Sequence, residues 1–156
     1  MVGIKHRTYI KAKPEKVFQT LTTADGWNAW FTQRTTIDKN KDGTDEIWFR
    51  WSYENDQQKE IVDGGKILEA IPYESFIFQW KPGRNITTVN IQLKPLKEGT
   101  LLLLEEQGYE KEDMEACIGC AVGCGEAITL LKLYLEYGIV CKKDLLLGFE
   151  DEIHDL

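Results

Sequence analysis

Histidine, cysteine and proline are all scarce in this chain: two, four and four among 156 residues. With His6 and His154 alone, a histidine-built metal centre or proton relay has few members to draw on. No second cysteine pair exists to complete a four-ligand zinc set. Positive charge is short as well. Lysine and arginine number 19 against 26 acidic residues, a formal net charge of -7. That argues against a nucleic-acid partner, because phosphate binding needs a basic face. Uninterrupted apolar runs stop at a few leucines, far from the roughly 20 residues that cross a bilayer, so no membrane span is expected. No basic segment followed by an apolar run opens the chain, and the expectation is a cytoplasmic protein without a signal peptide. What is present, 42% hydrophobic and 29% charged residues, suits one folded unit able to bury a sizeable core. The expected division is a single domain over residues 1–140 and a C-terminal extension over residues 141–156.

The longest patterned stretch is Lys111–Gly138. Wound at about 3.6 residues per turn, it gathers Cys117, Cys120, Cys124, Ala127, Ile128, Leu131, Tyr134 and Leu135 on one stripe. Glu126, Thr129, Lys132 and Glu136 fall opposite. The three cysteines share the apolar stripe and lack further ligands for zinc or an iron-sulfur cluster. They read as small reduced core side chains, and neither a metal nor a cofactor is expected. Gly119, Gly123 and Gly125 weaken the front of this helix by about 1 kcal/mol each relative to alanine. They imply a kink, a loose first half or close contact with the sheet, with the well-formed part beginning near Gly125.

Before that helix the period changes to two. Ile4, His6, Thr8, Ile10 and Ala12 share one face of a half-buried strand. Pro14 ends it and opens a short helix whose inner face is Val17, Phe18 and Leu21. Thr22 or Thr23 caps a second helix from Asp25 to Phe31. Asp38–Thr44 is a turn; a calcium loop through Asp38, Asn40 and Asp42 has its glycine one place late and no closing glutamate. Strand-like runs follow at 46–53, 61–71, 74–80, 86–93 and 99–107, with Asn55–Lys59 as a turn and a bulge or bend expected at Gly64-Gly65. In 99–107, Leu101–Leu104 is apolar on both faces, so its inner side is not decided by pattern. A strand, two short helices, about six further strands joined by short turns and a long helix make an antiparallel sheet with helices on one face. That is an α+β domain.

These segments, in this order, resemble the helix-grip fold of the START-like, or SRPBCC, superfamily. The branch they resemble is the one named for the activator of the heat shock protein 90 ATPase. The resemblance is carried by Lys13-Pro14-Glu15-Lys16-Val17-Phe18 with Leu21-Thr22, by Trp30-Phe31, and by Gly65-Lys66-Ile67-Leu68-Glu69-Ala70-Ile71-Pro72. Phe78-Gln79-Trp80, Gly99-Thr100-Leu101, Gly108-Tyr109 and the helix Gly125–Gly138 continue it. Gly123-Cys124 stands where many members carry tryptophan after the glycine. The resemblance implies a curved sheet of six or seven strands wrapped around the C-terminal helix, with a cavity between them.

The expected function is non-catalytic binding of a small hydrophobic molecule in that cavity. Its expected lining is Trp30, Phe49, Trp51, Phe76, Phe78, Trp80, Val89, Ile91, Leu131 and Tyr134, with His6 as a polar contact. The competing reading is that these rings simply fill a solid core. Two other classes stand beside it. One is a protein-interaction module of co-chaperone type, with Trp48 on the outer face. A chaperone partner is the weaker expectation, because the separate N-terminal domain of the eukaryotic co-chaperone has no counterpart in this sequence. The other is a cyclase- or dehydratase-type enzyme acting on an aromatic or polyketide-like substrate, with His6 as base and Glu69 or Tyr53 nearby. No Ser/His/Asp arrangement, phosphate loop or paired acid and base supports catalysis. The tail's Leu145-Leu146-Leu147 is expected to pack on the body and Glu150-Asp151-Glu152 to be solvated.

Overall fold

Period-two alternation becomes seven strands, and period 3.6 becomes three helices. The computed structural model describes residues 2–52 and 60–142. Tyr53, the Asn55–Lys59 turn, Leu145–Leu147, Glu150–Glu152 and His154 lie outside the described residues. The elements run β1 (Val2–Ile10), α1 (Pro14–Thr22), α2 (Ala24–Trp30), β2 (Arg34–Lys39), β3 (Asp45–Ser52) and β4 (Glu60–Ile71). There follow β5 (Ser75–Trp80), β6 (Thr87–Leu96), β7 (Gly99–Tyr109), a single 3-10 turn at Lys111–Asp113, and α3 (Met114–Tyr137). All strands pair antiparallel in one curved sheet of order β1-β7-β6-β5-β4-β3-β2. The fold is α+β of helix-grip type, as the segment order implies. Strand β2 was hidden by polar residues around the turn: Thr35 and Ile37 face inward opposite Phe49 and Ile47, while the turn itself begins at Asn40.

Helix ends follow local chemistry. Pro14 sits in the first turn of α1, where its missing N–H costs nothing. Thr23 caps α2 by accepting from Gly26 N at 3.0 Å. Helix α3 stops at Gly138, whose φ of 69° is the left-handed conformation glycine adopts without penalty. The N–H groups of Gly138 and Ile139 then bond back to the carbonyls of Tyr134 and Leu133.

One face of the sheet is apolar and the helices cover it. The core joins Ile10, Val17, Leu21, Trp27, Trp30, Ile47, Phe49, Phe76, Phe78, Val89, Ile91, Leu102, Ile128 and Leu131. Helix α3 lies along edge strand β1, α1 lies over β5 to β7, and α2 covers β2 and touches α3. The long helix therefore shares the hollow with two short ones rather than spanning it alone. Its Cys117–Leu135 stripe faces inward as its periodicity requires. By length and mean hydropathy, 1.6, the run Lys111–Tyr137 would suffice to cross a bilayer; here Ile128 and Leu131 pack it on the sheet as a core helix.

Two expectations change. The helix is regular from Met114, not from Gly125, and a Cβ at Gly119, Gly123 or Gly125 would meet nothing within 4 Å. Those glycines thus mark an open face, where no side chain is needed for packing, rather than close contact with the sheet. Of the bulge or bend expected at Gly64-Gly65 the structure has the bend: β4 is unbroken there, and the register slips between Ile67 and Glu69.

The glycines of β4 serve close approach. Residues 60–66 pair with β3 and residues 67–71 pair with β5, so one strand passes the sheet's bend from one neighbour to the other. A Cβ on Gly64 would strike the Ile47 carbonyl oxygen and lie 2.8 Å from Trp48 Cα; one on Gly65 would lie 2.6 Å from the Gln79 carbonyl oxygen. Both obstacles are backbone, so neither can swing aside. Gly64→Ala is expected to cost about 1–3 kcal/mol, read as a lowered urea midpoint at unchanged m-value; a variant as stable as the parent would show that the bend tolerates a side chain.

Candidate functional site

Strand β7 carries Leu102, Leu104 and Glu106 on the concave face, and β6 places Val89 opposite Glu106. Glu106 is 3% exposed, a carboxylate inside an apolar face. Burying such a charge is costly unless hydrogen bonds replace water. Three do, all on one oxygen: Trp80 Nε1 donates to Oε2 at 2.6 Å, Thr87 Oγ1 at 2.5 Å and Tyr109 OH at 2.9 Å. The donors come from β5, β6 and the end of β7, so sheet register assembles the cluster.

The surrounding groups stay neutral. Burial, then the neighbouring Cys120 thiol, pushes the Tyr109 phenol far above its ordinary value, which keeps its proton on the bond to Glu106. Burial likewise raises the thiols of Cys117 and Cys120, and lifts Cys124 to about 11. All three cysteines are free, and Cys117 is buried against Ile4 and Tyr109. Asp63, on β4 opposite Phe49, is a second acid on this side of the sheet. Its Oδ1 accepts from Gly64 N at 2.7 Å and Lys81 N at 2.8 Å. Burial pushes its carboxyl above the ordinary range, and the charge of Glu106 adds to the rise.

Around this polar point lie the rings. Trp27 meets Phe49 edge-on at 4.8 Å, Trp30 stacks on Phe31 at 4.9 Å, and Phe31 meets Trp51 at 5.3 Å. Phe49 touches Phe78 at 5.6 Å, and Phe78 touches Trp80 at 6.1 Å. Trp30, Phe49, Trp51, Phe76, Phe78, Val89, Ile91 and Leu131 are buried in one cluster, with Trp80 and Tyr134 half-buried at its side. The structure thus brings ten of the expected lining residues together. It packs their rings on one another.

His6 lies elsewhere. It is half-buried and lines an open groove of about 520 Å³ between β1 and α3, with Arg7, Thr8, Ile128, Thr129, Lys132 and Glu136 among its walls. Glu136 is engaged there by the backbone N–H of Lys11 at 2.9 Å. His6 makes no ion pair among the described residues, where Lys5 and Glu105 at 3.7 Å are the one bridge. Ile128 belongs both to the groove and to the core, so the groove floor is the edge of the core. Glu69 pairs with Ile77, on the sheet face away from Phe76 and Phe78, and accepts from Ser75 Oγ at 2.8 Å. Trp48, half-buried on the outer face, donates to Glu46 at 3.3 Å. Asp42 accepts from both Thr44 N and Thr44 Oγ1, a local turn in place of a calcium loop. No cluster of three metal-ligating side chains occurs among the described residues.

Sequence reasoning missed Glu106, Asp63, Thr87 and Trp27. For Glu106 a signal existed, since counting by two from Leu102 puts it inside; its charge argued the other way. Lys142 was also missed: its ammonium donates to the carbonyls of Asn28 and, at 3.0 Å, Thr32. A cation there suits the carbonyl end of α2.

A family model described as Activator of Hsp90 ATPase homolog 1-like protein matches residues 11–136. Among proteins of curated function, none matches the sequence. Similar solved structures include the Aha1 dimer from Colwellia psychrerythraea, at 25% identity and a TM-score of 0.66, covering 88% of this chain and 98% of that one. A protein from Staphylococcus saprophyticus is similar at 18% identity and TM-score 0.71, covering 90% and 96%. CalU16 from Micromonospora echinospora is similar at 20% and 0.68, covering 87% and 77%. The last two likenesses concern the fold alone.

Because the folded Asp63 carboxyl is raised, it binds its proton more tightly than the unfolded chain does, and stability falls as pH climbs through the raised value. Asp63→Asn keeps an oxygen for the two backbone donors and removes the charge. Melting curves should therefore show variant and parent alike near pH 3.5 and the variant more stable at pH 7. The opposite order at pH 7 would mean that the charge, not the acceptor, is what the fold uses.

Proposed function

The chain belongs to the family of Activator of Hsp90 ATPase homolog 1-like proteins, and from that premise we propose that it binds a small, largely apolar molecule without transforming it. The ligand lies between the concave sheet face and the covering helices, with Glu106 as its polar anchor. One observation carries this reading: a buried carboxylate, held rigid by three donors, stands at the end of a continuous run of aromatic faces. Small-molecule sites have that composition, apolar walls with a few placed polar groups. Entry requires the packed rings to part, and the groove that Ile128 lines opens at the edge of the core. Glu106 and Asp63 both have fixed acceptor roles, and His6 sits apart in the groove, which supports binding over acid-base chemistry.

A ligand that binds only the folded chain raises its melting temperature by mass action. A thermal-shift panel of fatty acids, sterols and polycyclic aromatics should yield hits among molecules with one hydrogen-bond donor. Glu106→Gln should weaken those hits about tenfold while leaving purely apolar binders unchanged, since a charge-assisted bond is lost. A flat panel would end the reading.

A second reading, a protein-interaction module, is favoured by the outer face of α3. There Ile118 is 59% and Val122 70% exposed, beside Met114. Single exposed apolar residues are ordinary, but three on adjacent turns form a patch. The family description points to a chaperone, and the test is direct. Purified chain added to an Hsp90 ATPase assay should leave turnover unchanged on the ligand reading; stimulation abolished by Ile118→Lys with Val122→Lys would replace that reading with the co-chaperone one.

A further inference from the structure

Five tryptophans offer five indole N–H donors, and three are satisfied. Trp27 Nε1 donates to the Leu21 carbonyl at 2.7 Å, Trp48 Nε1 to Glu46 at 3.3 Å and Trp80 Nε1 to Glu106 at 2.6 Å. Trp30 Nε1 and Trp51 Nε1 are buried with no acceptor among the described residues. Buried donors without partners are rare in native proteins and call for a specific cause. Here they are not scattered. Trp30 and Trp51 flank the same ring, Phe31, at 4.9 and 5.3 Å, and Phe31 is half-buried where the two indoles are 2% and 9% exposed. Both indole rings that carry the open donors therefore pack on a ring by which the aromatic cluster meets the surface.

We infer that Trp30 and Trp51 are the acceptor-recognising end of the ligand site, and that the ligand carries a neutral carbonyl-type oxygen on a flat, apolar framework. This rests on the ligand-binding reading and narrows it. The oxygen must be neutral: a buried anion needs a cation, and the cation anchored on α2, Lys142, is engaged by the Asn28 and Thr32 carbonyls. The oxygen must accept only. A hydroxyl brings its own donor, which would need an acceptor among rings that have none to give, whereas a ketone oxygen only accepts. A flat framework lets the remainder stack against the Phe31 and Phe49 faces. Ketones, quinones and related polycyclic carbonyl compounds have this chemistry; simple hydrocarbons and fatty acids do not.

The test uses the whole chain with indole nitrogens labelled and two matched pairs of probes, 9-fluorenone with fluorene and xanthone with xanthene. The carbonyl member of each pair should bind about tenfold more tightly, the effect of one to two neutral hydrogen bonds. It should also move the Trp30 and Trp51 indole proton signals downfield while moving those of Trp27, Trp48 and Trp80 far less. Trp30→Phe and Trp51→Phe should each reduce the preference. Should a variant fail to fold, the parent chain alone still decides, because the two shifted indole signals are read directly. Equal binding within each pair with both signals unmoved overturns the inference and leaves ligand binding standing. Absence of binding by all four probes also overturns the inference, and the ligand-binding reading is then decided by the thermal-shift panel of molecules that carry a donor for Glu106.

Discussion

The bend of the sheet at β4 is the constraint on which everything else rests. A seven-stranded antiparallel sheet with one apolar face has to be covered on that face, and a flat one would need a wide layer of helices. By handing its first half to β3 and its second to β5, β4 turns the sheet on itself. The hollow that results is narrow enough for two short helices and one long one. Such a turn demands backbone contact closer than any side chain allows, and Gly64 and Gly65 stand at that place. Their spacing from the Ile47 and Gln79 carbonyls is set by strand pairing, not by flexibility.

Strand register explains why a carboxylate survives inside. The adjacent strands β5, β6 and β7 bring Trp80, Thr87 and Tyr109 onto the same oxygen of Glu106. The charge is held by directed dipoles rather than by a counter-ion, since no basic side chain pairs with it among the described residues. Neutral neighbours go with that: burial first, and the negative charge of Glu106 after it, raises Asp63, Tyr109 and the three helix cysteines. The cluster is thus one electrostatic unit built on the sheet, with the thiols of α3 closing it.

Helix α3 divides its work along its length. Ile128 and Leu131 seal the core, and the turns before them expose Ile118 and Val122 to solvent. The glycines of that front half face open space, so they neither kink the helix nor bring it nearer the sheet. Propensity alone argued for a loose start; the Cys117 and Cys120 contacts with Ile4 and Tyr109 hold it instead. Tertiary packing outweighs a weak local preference.

Much of the architecture was legible in residue order. Two periods, a proline and a threonine cap located both short helices, six of the seven strands and the long helix, because alternation reflects burial directly. Family-like motifs added the curvature. The candidate site was legible only as a list of rings, which pattern places inward without saying whether they touch a guest or one another. Strand β2 was lost because its inward residues are threonine and isoleucine amid charge. Glu106 was lost because a sequence shows charge but not the three donors that make its burial tolerable. What the chain itself determined is which residues avoid water; which of them meet, and which donors are left without acceptors, was decided by strand register and by the bend at β4, since those contacts join residues far apart in the chain.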